Sequence, residues 1–261
     1  MPFPESRRVI YGKNPLVEVI SQLRFPAVLT IEAELPAKFQ EKLRGDYPIF
    51  DDGSVSGAAE LIPPEIARLF GSQFGITTPR VFAFTSSDRV WKVHLNREFV
   101  AITCTKYRRW DDFRARLLSV LQHLDNVYSP SFYTRVGLRY RNVIDRGNLG
   151  LEGTPWGELF QAHLAAEFAS DMADSVLQNQ HQLLVELPNN EGRVRIVHGI
   201  VQQPQKPELV YVIDNDFFTE DRVEKSDAAE KLDTFNRRSG GLFRSFIKDK
   251  LDRAMGPNAA A

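Results

Sequence analysis

A short segment near the middle of the chain places three arginines at alternate positions. In Arg135–Asn142, strand periodicity sends Arg135, Arg139 and Arg141 to one face, together with Gly137. The three guanidinium groups would then line a stripe of roughly 20 Å, at about 3.3 Å per residue. A guanidinium fork matches the geometry of a phosphate or a carboxylate. The segment therefore predicts an anion-binding strand.

A second alternating strand, near the start of the chain, carries residues that would extend this stripe. In Val17–Phe25, Arg24 matches Arg139 of the later strand, with polar side chains alongside. The competing interpretation is that the arginines pair across the sheet with carboxylates such as Glu18 or Glu186. Two interpretations therefore stay open, ion pairing within the sheet and binding of a ligand. The six candidate binding residues are Arg135, Arg139, Arg141, Arg24, Gln22 and Glu18.

Two further groups of basic residues flank predicted helices. The first interleaves Tyr107 and Trp110 with Lys106, Arg108, Arg109, Arg114 and Arg116. Such a mixture can form a stacking platform for single-stranded nucleic acid, but core packing beside a solvated flank is favoured. The second group suits the negative end of the last helix, and its members are Arg237, Arg238, Arg244, Lys248 and Lys250.

Two aspartates are the one pattern that suggests a divalent ion. Asp214 and Asp216 flank Asn215 at what the periodicity indicates is a strand end. The glycine and the distal glutamate of a calcium loop are missing, so a cap or a turn is favoured. We predict no metal site, and a metal-dependent enzyme at these aspartates remains the remote alternative.

Other catalytic patterns are missing from the sequence. Cys104 is the only cysteine, which excludes an intramolecular disulfide, and its alternating surroundings predict a buried, inert thiol. No glycine-rich segment has phosphate-loop or dinucleotide spacing. We therefore predict no catalytic residue and no cofactor. The histidines are scattered singly, without zinc-site spacing: His94, His123, His163, His181 and His198.

Composition restricts the class of protein further. The 33 lysines and arginines nearly balance the 34 acidic residues, for a net charge of -1. Nucleic-acid binders usually carry a basic excess, so such a role would need a local patch. No apolar run approaches the roughly 20 residues of a membrane-spanning helix, and the first residues do not read as a secretory signal. We expect a cytoplasmic protein with no membrane association.

The elements that would position these residues occur twice along the chain. Each half opens with an alternating strand that ends in a related tripeptide, Leu23–Phe25 or Leu138–Tyr140. A helix-like stripe follows each strand, in Pro36–Arg44 and in Trp156–Phe168. Three strands come next in each half: Arg80–Thr85, Val90–Leu95 and Phe99–Lys106, then His181–Leu187, Arg193–Val201 and Leu209–Asp214.

Each half closes with an amphipathic helix. The apolar stripe runs from Trp110 to Leu124 in the first half and from Leu232 to Leu251 in the second, with an interruption at Gly240–Gly241. Periodicity is lost in Gly45–Pro79, apart from a short helix at Pro64–Phe70, and in Asp214–Asp227. We predict an α+β fold of two similar β-α-βββ-α halves, 1–130 and 131–261, in one compact unit with a mainly antiparallel sheet and helices on one face.

The two strand signatures resemble those of a sporadically distributed, uncharacterised prokaryotic protein family. The residues that carry the resemblance are Asn14–Glu18 with Gln22–Phe25, and Arg135–Asn142, supported by Tyr107-x-x-Trp110-x-x-Phe113 and Ile213–Asp216. The resemblance covers most of the chain. It implies no activity, cofactor or catalytic residue, and the patchy distribution suggests a mobile defence or toxin–antitoxin locus.

A recognition role is what these observations favour. The balanced charge, the missing catalytic pattern and the broad duplicated sheet indicate a non-enzymatic component that binds another protein. Whether the protein is an enzyme is left open by the sequence. A nucleic-acid-binding accessory protein that uses the arginine strand is the alternative.

Overall fold

Alternation of apolar and polar residues gives this chain one broad antiparallel sheet. The computed structural model describes residues 9–52, 80–203 and 208–259. Within these residues, nine strands form one sheet and two short strands form a second. The fold is α+β with mainly antiparallel strands, which confirms the predicted class.

The described strands and helices are bounded as follows. The strands are β1 Val9–Tyr11, β2 Leu16–Arg24, β3 Ile49–Asp51, β4 Phe82–Thr85, β5 Trp91–Asn96, β6 Phe99–Cys104, β7 Arg135–Ile144, β8 His181–Glu186, β9 Arg193–Gln202, β10 Leu209–Thr219 and β11 Pro257–Ala259. The α-helices are α1 Thr30–Ala33, α2 Ala37–Leu43, α3 Trp110–Tyr128, α4 Arg146–Leu149, α5 Trp156–Leu159, α6 Ala228–Phe246 and α7 Asp249–Met255. None of these helices has both the length and the apolar character to cross a membrane.

The order of the large sheet puts the two signature strands side by side. It runs β3-β4-β5-β6-β2-β7-β10-β9-β8, and every neighbouring pair is antiparallel. Strands from residues 1–130 therefore occupy one side of the β2–β7 pair, and strands from residues 131–261 occupy the other. The strands of the two predicted halves share one sheet, while an internal repeat as such stays a prediction.

The two long helices cover one face of the sheet. On α3, Phe113 packs against Trp91 of β5, with ring centroids 5.7 Å apart. On α6, Phe235 packs against Phe217 of β10 at 6.2 Å. Full burial of such side chains stabilises the fold by about 1.5–3 kcal/mol each. The face opposite α3 and α6 is called the outer face below.

One predicted helix is wrong in extent. Only Trp156–Leu159 of the segment Trp156–Phe168 is α-helical. Phe160 is extended (φ -117°, ψ 153°) and bridges to Ile247, and its ring lies 4.1 Å from that of Tyr211. The apolar side chains that suggested a continuous stripe are all buried, but in an irregular segment. Tertiary packing has overridden the helical pattern here.

Two boundaries in the second half also differ from prediction. Strand β10 continues through Asp214 to Thr219, so this stretch is paired with neighbours on both sides. Helix α6 passes through Gly240–Gly241 without interruption, and the break falls at Ile247, which is extended where it bridges to Phe160. The predicted helix Pro64–Phe70 lies outside the described residues.

A buried histidine sits at the centre of the second half. His198 on β9 is 4% exposed, and its Nδ1 lies 2.9 Å from the hydroxyl oxygen of Tyr211. Tyr211 donates its own proton to the carbonyl oxygen of Leu164 at 3.1 Å. The hydroxyl therefore accepts from His198, which fixes the proton on Nδ1. Burial lowers the pKa of His198 to about 4.

This lowered pKa predicts an acid-labile fold. The unfolded chain binds a proton at His198 below about pH 6.5, whereas the folded chain resists protonation down to about pH 4. The contribution of neutral His198 to the free energy of unfolding is therefore complete above about pH 6.5 and is lost as the pH falls toward 4. We expect about 2 kcal/mol less stability at pH 5 than at pH 7 from this residue.

Urea unfolding at pH 7 and pH 5 measures the effect. In His198→Gln the difference in unfolding free energy between pH 7 and pH 5 should be about 2 kcal/mol smaller than in wild type. Equal pH dependence in wild type and His198→Gln would contradict the assignment.

Candidate functional site

The six residues predicted to bind lie together on the outer face. Glu18, Gln22 and Arg24 alternate along β2, and Arg135, Arg139 and Arg141 alternate along the adjacent β7. The register places Arg24 beside Arg135, Gln22 beside Gly137 and Glu18 beside Arg141. These residues form what we call the arginine stripe.

Arg139 is committed to an ion pair with the neighbouring strand. Its guanidinium donates from Nε to Asp214 Oδ1 at 2.7 Å and from Nη2 to Asp214 Oδ2. The side chains of Arg139 and Asp214 are 25% and 14% exposed. Hydrogen bonding to Asp214 raises the pKa of Arg139. This two-point contact at low exposure leaves Arg139 little capacity for another anion.

Arg135 is held in a comparable way. Its Nη2 donates to both carboxylate oxygens of Asp216, at 3.1 and 2.8 Å, and its Nη1 donates to Gln22 Oε1 at 3.2 Å. The guanidinium carbon lies 5.0 Å from the centroid of the Phe218 ring. A Cβ at Gly137 would come within 2.3 Å of Arg135 Nη1. The glycine therefore leaves the space in which the guanidinium lies along the sheet.

These contacts agree with the interpretation that the arginines pair with carboxylates across the sheet, but the carboxylates are not the ones suggested by the sequence. The carboxylates that hold Arg135 and Arg139 are Asp216 and Asp214, where the sequence suggested Glu18 or Glu186. Arg24 and Arg141 are the exposed members. The stripe is thus largely neutralised within the sheet, because β10 supplies two carboxylates that the sequence interpretation had assigned elsewhere.

The same contacts bear on the aspartates as a metal site. Asp214 and Asp216 lie inside β10, not at a strand end, so the predicted cap or turn is wrong. Each carboxylate accepts from an arginine, and a guanidinium at that distance repels a cation. Among the described residues, no group of three or more histidine, cysteine, aspartate or glutamate side chains could hold a metal ion.

A cleft on the helix side brings the other basic groups together. It has a volume of about 500 Å³ and lies between the start of α3, the middle of α6, and the chain around β1 and the start of β2. Five arginines line this arginine cleft: Arg108 and Arg109 before α3, and Arg237, Arg238 and Arg244 on α6. Glu191 is the only carboxylate among the lining residues that the structure describes.

The single carboxylate is already engaged. Arg238 donates to Glu191 from Nε at 2.8 Å and from Nη2 at 2.7 Å, with side-chain exposures of 13% and 19%. The hydrogen bond from Arg238 lowers the pKa of Glu191. Burial lowers the pKa of Arg244, which still leaves its guanidinium protonated. Of the other four arginines, Arg109 has its Nε 3.6 Å from Asp111 Oδ2, and Arg237 donates from Nη2 to Thr234 Oγ1 at 2.9 Å. Neither contact is a two-point ion pair like that of Arg238.

Hydrogen bonds between the two long helices fix the walls of the cleft. Asp233 of α6 accepts from Trp110 Nε1 at 2.7 Å and from Arg114 Nε at 2.9 Å, both on α3. Asn236 of α6 accepts from the hydroxyl of Tyr140 on β7 at 2.9 Å. These hydrogen bonds hold α6 against α3 and β7, and so they set the positions of the helices that carry the arginines.

The sequence predicts each group of arginines as the flank of its own helix and does not predict that the two groups meet. For several members of these groups the structure shows a contact that belongs to the fold. Trp110 is buried, Arg114 bonds to Asp233, and Arg116 lies 4.8 Å from the Trp91 ring centroid. Lys248 donates to the carbonyl of Gly157 and Lys250 to Glu158. One feature of the sequence is common to both groups: Arg108 and Arg109 lie between aromatic residues, and Arg237 and Arg238 shortly precede Gly240–Gly241.

The remaining candidates for chemistry are accounted for by packing. Cys104 is buried, as predicted, and burial raises its pKa to about 11.

A search with protein-family models and a search of curated proteins both find no match for this chain. The resemblance of the strand signatures to a prokaryotic family therefore stays a prediction, and no activity is transferred to the chain from a relative.

The Arg139–Asp214 pair yields a stability prediction. Asp214→Ala would leave the Arg139 charge at low exposure without its main partner, and we expect a loss of about 2–3 kcal/mol. Replacing both residues, as Arg139→Met with Asp214→Leu, should recover most of that loss. Urea unfolding at pH 7 supplies the measurement. The exposed pair of Arg193 and Glu220, 3.5 Å apart, is the control, and Glu220→Ala should change little.

A stripe that is kept free for binding would behave differently. In that case Asp214→Ala would leave the free energy of unfolding within about 0.5 kcal/mol of wild type, as surface substitutions do.

Proposed function

We propose that this protein is a non-enzymatic recognition component that holds an anionic group of its partner in the arginine cleft. The observation that carries the proposal is the convergence of five arginines on one cleft whose described lining contains a single carboxylate. The two sets of arginines come from distant parts of the chain, Arg108–Arg109 and Arg237–Arg244. Among the described residues that line the cleft the arginines outnumber the acidic side chains, and the ion pair of Arg109 with Asp111 just outside the lining is exposed and therefore weak.

Electrostatics supports an anion as the ligand. Like charges that are gathered around a cleft repel one another, and a bound anion relieves that repulsion. Arginine is suited to phosphate and carboxylate groups because its planar fork donates two parallel hydrogen bonds.

The lining also supports binding over catalysis. Glu191, the one carboxylate, accepts two hydrogen bonds from Arg238, and its lowered pKa makes it a poor proton acceptor. Apart from the arginines, the other polar side chains in the described lining of the cleft are amides and hydroxyl groups, including Asn14, Asn142 and Asn236. Such groups orient a ligand through hydrogen bonds and do not themselves titrate near neutral pH.

The partner we propose is another protein, and the group it presents is a phosphate or a cluster of carboxylates. The balanced net charge of -1 favours a local contact over the broad electrostatic attraction that nucleic acid uses. The nucleic-acid alternative through the arginine stripe is weakened, because Arg135 and Arg139 are bonded to Asp216 and Asp214.

Inorganic pyrophosphate is a direct probe of the cleft. Isothermal titration should give saturable binding to wild type, and a double variant, Arg109→Ala with Arg237→Ala, should bind at least about tenfold more weakly, since each lost charge-assisted contact is worth about 1.5–3 kcal/mol. Both side chains are exposed, so the fold should persist. Arg253→Ala is the matched control, because Arg253 is exposed and has only a local ion pair with Asp249.

Absence of saturable binding, or equal binding by the double variant, would contradict the proposal. Partner capture separates the classes of ligand: wild type and Arg253→Ala should retain a protein that the double variant loses. Capture of nucleic acid that salt removes, with equal recovery on all three proteins, would instead favour a nucleic-acid role outside the cleft.

A further inference from the structure

An exposed apolar segment lies at one edge of the large sheet. Ten large apolar side chains are exposed in the described residues, and four of them fall between residues 172 and 184. Leu183 and Leu184, 46% and 57% exposed, lie on the edge strand β8, and Leu177, 79% exposed, shortly precedes it. Apolar residues on an open sheet edge favour pairing with another strand. Neither the arginine stripe nor the arginine cleft includes this edge.

Strand β8 pairs on one side only within the described residues. The N–H groups of Asn179 and Leu187 donate inward, to Ile200 and Gly192. In an antiparallel ladder the direction alternates along the strand, so the odd-numbered residues face β9 and Gln182, Leu184 and Glu186 point their backbone groups outward. In the described part of the chain no strand lies beyond β8.

From this edge we infer that two copies of the protein pair through β8, antiparallel and across a twofold axis, to form one continuous sheet. The axis makes the edge its own partner, because an antiparallel strand presents the same donors and acceptors when it is rotated by half a turn. The opposite edge, β3, is only three residues long. The inference goes beyond the proposed function and does not depend on the cleft.

Side-chain matching selects one register. When Leu184 lies opposite Leu184 of the second copy, Leu183 lies opposite Val185 and Gln182 lies opposite Glu186. Each pair then joins residues on the same face of the sheet, as the alternation requires. Moving the pairing so that Leu183 lies opposite Leu183 places Gln182 opposite Leu184 and His181 opposite Val185. Moving it the other way, so that Val185 lies opposite Val185, places Leu184 opposite Glu186. Either shift puts polar side chains opposite apolar ones.

Sedimentation velocity tests the pairing over about 1 to 200 µM, which covers interfaces at the weak end of the specific range. Wild type should sediment as a concentration-dependent dimer. Leu184→Lys places two like charges opposite each other and should weaken the dimer by about tenfold. Leu35→Lys is the matched control, since Leu35 is also an exposed leucine, at 57%, and lies before α2, away from the edge. Its dimer should match wild type.

Two changes at one exposed position test the register. Gln182→Lys puts a lysine opposite Glu186 of the second copy and should strengthen the dimer, whereas Gln182→Glu puts two carboxylates together and should weaken it. The pair occurs twice in the dimer, so we expect a shift of about fivefold in each direction. These polar replacements on an edge should leave the fold intact.

A monomer throughout the concentration range would overturn the inference, as would a dimer that Leu184→Lys leaves unchanged. Equal effects of Gln182→Lys and Gln182→Glu would overturn the register. The experiment needs no ligand, and the pyrophosphate titration does not depend on the edge, so failure of the dimer and failure of the cleft proposal are distinguishable.

Discussion

The antiparallel pairing of β2 with β7 is the interaction on which the rest of the molecule depends. It joins the strands of residues 1–130 to those of residues 131–261 in the centre of the nine-stranded sheet. Because side chains alternate along both strands, the pairing sends Gln22, Arg135 and Arg139 to one face and Leu23 and Leu138 to the other. The apolar side chains form the face of the sheet against which α3 and α6 pack. Since each long helix lies over its own set of strands, the two helices meet above this central pair.

The two groups of arginines differ in their local balance of charge. On the outer face, β10 supplies Asp214 and Asp216 directly beside Arg139 and Arg135, and the charges cancel within the sheet. On the helix side, the described lining of the cleft holds five arginines and one carboxylate, Glu191, while Asp111 lies beside Arg109 in an exposed ion pair. We expect that removing a partner destabilises the first group and, under the proposed function, that a bound anion stabilises the second. The first arrangement therefore belongs to the fold and the second to the proposed function.

Much of the fold could be predicted from local periodicity, and the failures have physical causes. Strands β2 and β7 were found because their alternation is regular and half-buried on one face. The helix predicted over Trp156–Phe168 failed because Phe160 is drawn out of the helix to bridge with Ile247 and pack on Tyr211. An apolar spacing of three and four residues cannot distinguish a helix from an irregular segment whose side chains all reach the core.

The candidate site was harder to predict than the fold. Alternation alone placed Arg135 and Arg139 on one face, but their partners come from β10, about 75 residues later, in a strand whose end the sequence placed too early. The cleft needs residues near 108 and near 237 to meet, which is a property of the sheet order and not of either segment. Long-range convergence of this kind leaves no periodic signal in a single sequence.

Arginine side-chain NMR during a pyrophosphate titration tests the central claim most directly. The Nε–H signals of Arg109, Arg237 and Arg244 should shift in a saturable manner, because these guanidiniums line the cleft. The Nε–H signals of Arg135 and Arg139 should stay in place, because both side chains are bonded within the sheet. Shifts confined to Arg135 and Arg139, with the cleft signals unchanged, would contradict the account.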